Sequence, residues 1–318
     1  MSGNGPGKNF LLHTVFLAAA LVLSSVVVSA QTDGTTLTAI RKPASYDPSS
    51  AIEVGAGAGP TGIASDGVNV WVTNQFSDSV IKVAGDGTVV GKYAVGKNPI
   101  GVTTDGFSVW VANNGDDTVT KLSTDGAVLE TFAVGKGPEA VLIAGKYVFV
   151  ANEKDGSVTK LSSDGAVLGT FKVGQRPVAL ATDGTNIWVA NNQSDTVTKL
   201  SATGEVLGTY GVGDGPFGLA FDGANIWVTN FFSGSVMKLD LNDGAVVAKA
   251  VVGDGAAGIA INESDVLVVN NGSNSVSVLG KEGTVVSTLK VGISPYGVAV
   301  TPSGIWVTNA GSDSISRR

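Results

Sequence analysis

The chain has 318 residues, with 44 glycines, no cysteine, one histidine, 43% hydrophobic but only 15% charged residues, and a net charge of −7. That profile fits a turn-rich β protein and excludes disorder, a disulfide framework, thiolate metal sites and a thiol nucleophile. The acidic balance also excludes an electrostatic grip on nucleic acid or anionic lipid.

Residues 1–30 read as an export leader. Lys8 gives a weakly positive start, Leu11 to Val28 is largely apolar, and Val28-Ser29-Ala30 is a small-residue cleavage signal, so the mature chain is expected to begin at Gln31. An uncleaved anchor is the competing reading, since the stretch is about long enough to span a bilayer. His13, Thr14, Ser24 and Ser25 interrupt it and favour cleavage. Cleavage removes the only imidazole, and with it the usual group for acid–base and metal chemistry near neutral pH. Residues 31–49 form a leader segment before the first recognisable repeat, and no later segment is apolar enough to cross a membrane. The expected location is secreted, periplasmic or cell-surface, without membrane insertion once the leader is gone.

From residue 50 onward the chain repeats. Trp71, Trp110, Trp188, Trp227 and Trp306 each sit in a VWV-type run that ends in Asn, and Phe149 and Leu267 occupy the two gaps. Successive spacings are 39 or 40 residues, which makes seven copies. In the first copy GIASDG, NVWVTN, DSVIKVAGDG and TVVGKYAVG read as four short strands separated by turns, with Asp-Gly marking the hairpins. The Val-Trp-Val core of the second strand is apolar on both faces, which requires a sheet packed on both sides. Four antiparallel strands at this period predict an all-β, seven-bladed β-propeller over residues 50–318. The last copy stops at Arg318 after its third strand, so Ser50–Gly55 is expected to pair near Ser314–Arg318 and close the ring.

Trp71-Val72-Thr73-Asn74, Trp227-Val228-Thr229-Asn230 and Trp306-Val307-Thr308-Asn309 resemble the YVTN-type, YncE-like propeller repeat. The Gly-Pro and Asp-Gly spacing is similar to that of streptogramin (virginiamycin B) lyase and NHL-repeat propellers. The resemblance spans Val54 to Arg318 and implies a fold shared by surface proteins, periplasmic binding proteins, lyases and lactonases. Streptogramin lyases use a channel histidine with acidic residues and magnesium, and no histidine follows His13 here. Nor do the first strands offer the Glu, Asn and Asp set of gluconolactonase-like propellers, or an axial histidine for haem.

Function is expected where the repeat stops repeating. The residue after each connecting proline, or its equivalent, is Thr61, Ile100, Glu139, Val178, Phe217, Ala257 or Tyr296, placed near the channel mouth. Phe217, Tyr296, Phe231, Phe232 and Phe76 form an expected aromatic arc, with Glu139 and Arg176 as its charged partners. This predicts a non-catalytic, monomeric binding propeller presenting its top face to a protein, glycan or small-molecule ligand. A lyase or lactonase with a divergent site is the alternative. Glu139 and Glu153 are the best acid–base pair available to it, and beside Lys136 and Lys154 they read as a solvated ion cluster. No cofactor is expected, and only calcium or magnesium would suit the oxygen ligands present.

Overall fold

The computed structural model describes residues 50–318; the leader and the segment 31–49 lie outside the described residues. Twenty-eight strands form seven four-stranded antiparallel sheets, arranged as the predicted propeller. Blade 1 consists of β2 (Pro60–Ser65), β3 (Val70–Asn74), β4 (Ser79–Val83) and β5 (Val89–Ala94). Blades 2 to 6 follow as β6–β9 (99–133), β10–β13 (138–172), β14–β17 (177–211), β18–β21 (216–251) and β22–β25 (256–290). Blade 7 joins β26 (Pro295–Thr301), β27 (Gly304–Asn309) and β28 (Ser314–Arg317) to β1 (Ile52–Glu53) from the other end of the chain.

The first strand of each blade touches the first strands of its neighbours and so lines the central channel. Closure joins the two predicted segments, with Ile52 opposite Ile315 and Glu53 opposite Ser314. The strand is only two residues long, and Asp313 extends its grip: the carboxylate accepts the N–H groups of Gly57 (2.7 Å) and Gly59 (2.9 Å).

Each part of the repeated motif has a packing role. The five tryptophans are at most 1% exposed. Trp71, Trp188 and Trp227 donate their ring N–H to Asp66, Asp183 and Asp222 of the first hairpin, at 3.2, 2.9 and 2.8 Å. A lysine from the third strand lies over the ring, as Lys82 does over Trp71 (5.2 Å), and donates to a turn carbonyl of the next blade, Thr124 (2.8 Å). Lys121, Lys199 and Lys238 repeat both contacts. Where the tryptophan becomes Leu267, the lysine opposite becomes Val278. The threonine of the WVTN runs joins blades: Thr73, Thr229 and Thr308 donate to Ile100, Ala257 and Thr61 carbonyls of the next first strand, at 2.6, 2.5 and 2.7 Å.

In blades 2, 4, 6 and 7 the asparagine that ends the motif clamps the neighbouring loop. Asn113 Oδ1 accepts the Gly96 N–H (3.1 Å) while its Nδ2 donates to Thr118 (3.0 Å) and Thr120 (2.8 Å). Asn191, Asn270 and Asn309 repeat the arrangement. The glycine of the second hairpin lies against an aromatic ring of the preceding blade. A Cβ on Gly126, Gly165, Gly204 or Gly244 would stand within 2.0 to 2.2 Å of Tyr93, Phe132, Phe171 or Tyr210.

Candidate functional site at the channel mouth

Two rings of side chains build the top-face mouth of the channel. The lower ring comes from the second residue of each first strand: Thr61, Ile100, Glu139, Val178, Phe217, Ala257 and Tyr296. All seven are at most 6% exposed, so the channel at this level is filled by the protein itself. Phe217 and Tyr296 come from blades 5 and 7 and meet edge-to-face across the small Ala257, with ring centroids 5.4 Å apart. Both are expected from the sequence among the ligand-binding residues of the channel mouth, and both are buried. They are core residues, because five of the seven positions in their ring are apolar and pack together.

The upper ring comes from the residue after each motif asparagine. Its polar arc is Gln75, Asn114, Glu153 and Asn192, with Asn271 opposite, and Phe231 is its aromatic member. Asn192 and Asn271 each donate to the carbonyl of the proline that opens the next blade, Pro216 (3.2 Å) and Pro295 (2.9 Å). Phe231 packs on Phe217 (5.5 Å) and on Phe232 (5.3 Å), and Phe232 is 66% exposed. Four of the five predicted aromatics therefore form one contiguous chain from the plug to solvent. Phe76 does not join it. This ring, 56% exposed, covers Gly59 at the entry to blade 1.

The charged half of the mouth differs from the solvated ion cluster expected. Glu139 is fully buried, and no other Asp or Glu among the described residues is buried to that degree. Its Oε2 accepts the Asn114 amide (3.0 Å), and its Oε1 meets no donor. Burial, and next the negative charge of Glu153, push the Glu139 carboxyl well above the usual range, against the opposing pull of Arg176 and Lys154. Burial therefore favours the neutral form of Glu139. Glu153 pairs with Arg176, whose Nε stands 2.7 Å from Oε1. Lys136 is exposed on the rim, and Lys154 reaches Asn114 (3.5 Å) rather than either glutamate. The result is a pair of neighbouring glutamates, Glu139 held by Asn114 and Glu153 held by Arg176.

Beside it, between blades 3 and 4, lies an open groove of about 600 Å³ lined by Glu153, Lys154, Lys172, Gln175, Arg176 and Gln193. Arg176 holds a left-handed backbone (φ 55°), which side chains of its size rarely adopt. Nothing in the sequence marks that conformation. Comparison across repeats gives the only signal, since the equivalent residues are Gly59, Asn98, Gly137, Gly215, Gly255 and Ser294. No group of three or more His, Cys, Asp or Glu side chains is placed to hold a metal among the described residues.

Solved structures share the architecture. A chain of hydrazine synthase from Kuenenia stuttgartiensis superposes with a TM-score of 0.71 at 18% identity, covering 83% of this chain and 97% of that one. Streptogramin B lyase gives 0.75 at 16%, covering 83% and 95%. The catalytically inactive virginiamycin B lyase from Staphylococcus aureus, solved with quinupristin, gives 0.73 at 15%, covering 83% and 96%. The WD40 propeller domain of Doa1 gives 0.71 at 14%, covering 84% and 94%. No protein-family profile and no curated protein sequence matches the chain. At these identities the likeness establishes the seven-bladed propeller and nothing about activity.

Proposed function

We propose that this propeller is an exported, non-catalytic binding protein that recognises an amphipathic ligand on its top face. The observation that carries this reading is the exposed Phe232, backed by Phe231 and Phe217 on one side of a mouth whose other side is the Glu153–Arg176 pair. An aromatic anchor on a rigid base beside fixed polar groups is the usual chemistry of ligand recognition. The plugged channel supports it too, since the most perturbed carboxyl, Glu139, has no surface on which a substrate could reach it.

Quinupristin, the compound held by one of the structural neighbours, is a concrete first probe, alongside arrays of peptides and glycans. Bound compounds should leave with unchanged mass, and replacing both Phe231 and Phe232 by Ala should weaken binding by about tenfold or more. Parent-like affinity in that variant would move the recognition surface elsewhere. Conversion of the probe that is lost in Glu139→Gln would favour the lyase or lactonase reading, for which Glu139 and Glu153 are the best acid–base pair available.

Export rests on the leader, with Lys8, the apolar run Leu11 to Val28 and the small residues before Gln31. N-terminal sequencing of the protein recovered outside the cytoplasm should read from Gln31. A retained Met1 would place the chain on a membrane anchor instead.

A further inference from the structure

The repeat carries its own standard for one oxygen position on the top face. In blades 1, 2, 4 and 7 the turn after the second strand ends in a left-handed aspartate: Asp78 (φ 48°), Asp117 (φ 56°), Asp195 (φ 54°) and Asp313 (φ 47°). The carboxylate accepts a backbone N–H of the connection into the next blade, from Asn98, Gly137, Gly215 and Gly59, at 2.8 to 2.9 Å. Blade 6 does the same with the amide oxygen of Asn274, on the Ser294 N–H (2.8 Å). Blade 3 has Gly156 at this position (φ 57°), and the N–H that receives no side-chain cap there belongs to Arg176.

The groove between blades 3 and 4 opens at this point, with Gly156, Lys154, Lys172 and Arg176 on its walls. Its two carboxylates are already engaged. Glu153 is paired with Arg176 (2.7 Å), and Asp155 accepts the Lys136 N–H (2.7 Å). Lys172 is anchored on the Asp155 carbonyl (2.7 Å) beside the opening. Blade 5 is the natural control. Gly234 (φ 53°) also replaces the aspartate there, opposite Gly255, but the connections on either side carry Asp214 and Asp254 and no cation. A bare backbone donor beside like charges repels an anion, whereas one beside lysines attracts it.

We propose that the groove between blades 3 and 4 is a recognition site for a carboxylate-bearing small molecule, whose carboxylate takes the place that the aspartate side chain fills in blades 1, 2, 4 and 7. The ligand carboxylate accepts the Arg176 N–H, flanked by Lys154 and Lys172. This inference stands apart from the aromatic rim on blade 5, and its failure would leave that reading untouched.

The test is an amide-resolved NMR titration of the full chain with sodium acetate and, separately, inorganic phosphate, at constant ionic strength. Acetate should shift the Gly156 and Arg176 amides saturably and leave Gly234 and Gly255 still. Gly156→Asp, which supplies the carboxylate from the chain itself, should abolish the response without lowering the melting temperature. Lys172→Gln, on an exposed strand edge, should keep the fold and weaken acetate binding several-fold. An absent or non-saturating shift, the same shift in Gly156→Asp, or a response to phosphate but not to acetate would overturn the proposal.

Discussion

At the scale of single residues, the channel mouth keeps one ionisable group under conditions that change its proton affinity. Glu139 is buried beside Glu153, and both features favour its neutral form. Because its folded-state pKa lies above the ordinary value of 4.5, the stability tied to its proton is fully present below that pH. It is lost as pH rises through the raised value. Glu139→Gln keeps the shape and the hydrogen-bonding capacity without the titration. The variant is expected to melt within about 1 kcal/mol of the parent at pH 4.5 and to lose less stability than the parent towards pH 8. Parallel melting curves across that range would show that Glu139 does not titrate as its surroundings require. The acid limb belongs to other groups. Burial raises Asp66, Asp183 and Asp222, but hydrogen bonds from tryptophan rings, neighbouring backbone and, for Asp222, Lys238 outweigh it and lower all three. Their contribution is present above 3.8 and falls away on further acidification. Arg176 is the other residue of note, since a left-handed non-glycine residue costs about 1 kcal/mol or more. Its ion pair with Glu153 holds it in place.

At the scale of elements, stability is a matter of contacts between neighbouring blades. Trp188 is fully buried, stacks on Tyr210 (5.8 Å), donates to Asp183 and lies under Lys199, which itself reaches the next blade. Replacing Trp188 by Ala should cost about 3–5 kcal/mol, since the cavity opens between two sheets that cannot collapse independently. Gly165→Ala tests the reverse fault. The added methyl would meet the Phe132 ring of the preceding blade at 2.1 Å, and the residue's φ of 85° disfavours any side chain. Destabilisation by about 1–3 kcal/mol is expected from overpacking, read by chemical denaturation. A neutral effect would mean that the hairpin and ring can separate without loss, contrary to tight inter-blade packing. Phe217→Ala belongs with these core substitutions rather than with the surface residues Phe231 and Phe232, because Phe217 is 5% exposed and supports Tyr296.

At the scale of the whole molecule, the ring stores its stability in closure. A single blade leaves its tryptophan and valines wet, so each sheet depends on two neighbours. The final contact is small in extent, a two-residue pairing of β1 with β28 reinforced by Asp313. Removing residues up to Gly55 should expose the β28 edge, lower the melting temperature and promote aggregation, measured by scanning calorimetry and light scattering. An unchanged melting curve would show that blade 7 is complete without its N-terminal strand.

The sequence by itself determined the number of blades, the four strands in each, the closing strand and the placement of the tryptophans in the core. These follow from periodicity, since a motif repeated every 39 or 40 residues must occupy equivalent positions and a two-faced apolar strand must be covered on both sides. It also brought Phe217, Phe231, Phe232, Tyr296, Glu139, Glu153 and Arg176 to one face, by the rule that alternate connections share a side. Only the tertiary structure decided which of these are surface and which are plug. A residue one step past a proline can point into solvent or into the axis, and seven such side chains fill the channel only when their sizes are taken together. Nor does strand pattern fix a proton. The Glu139 carboxyl is pushed upward because it is buried and lies beside Glu153, against the pull of Arg176 and Lys154, and those neighbours from blades 3 and 4 meet it only once the blades have packed together.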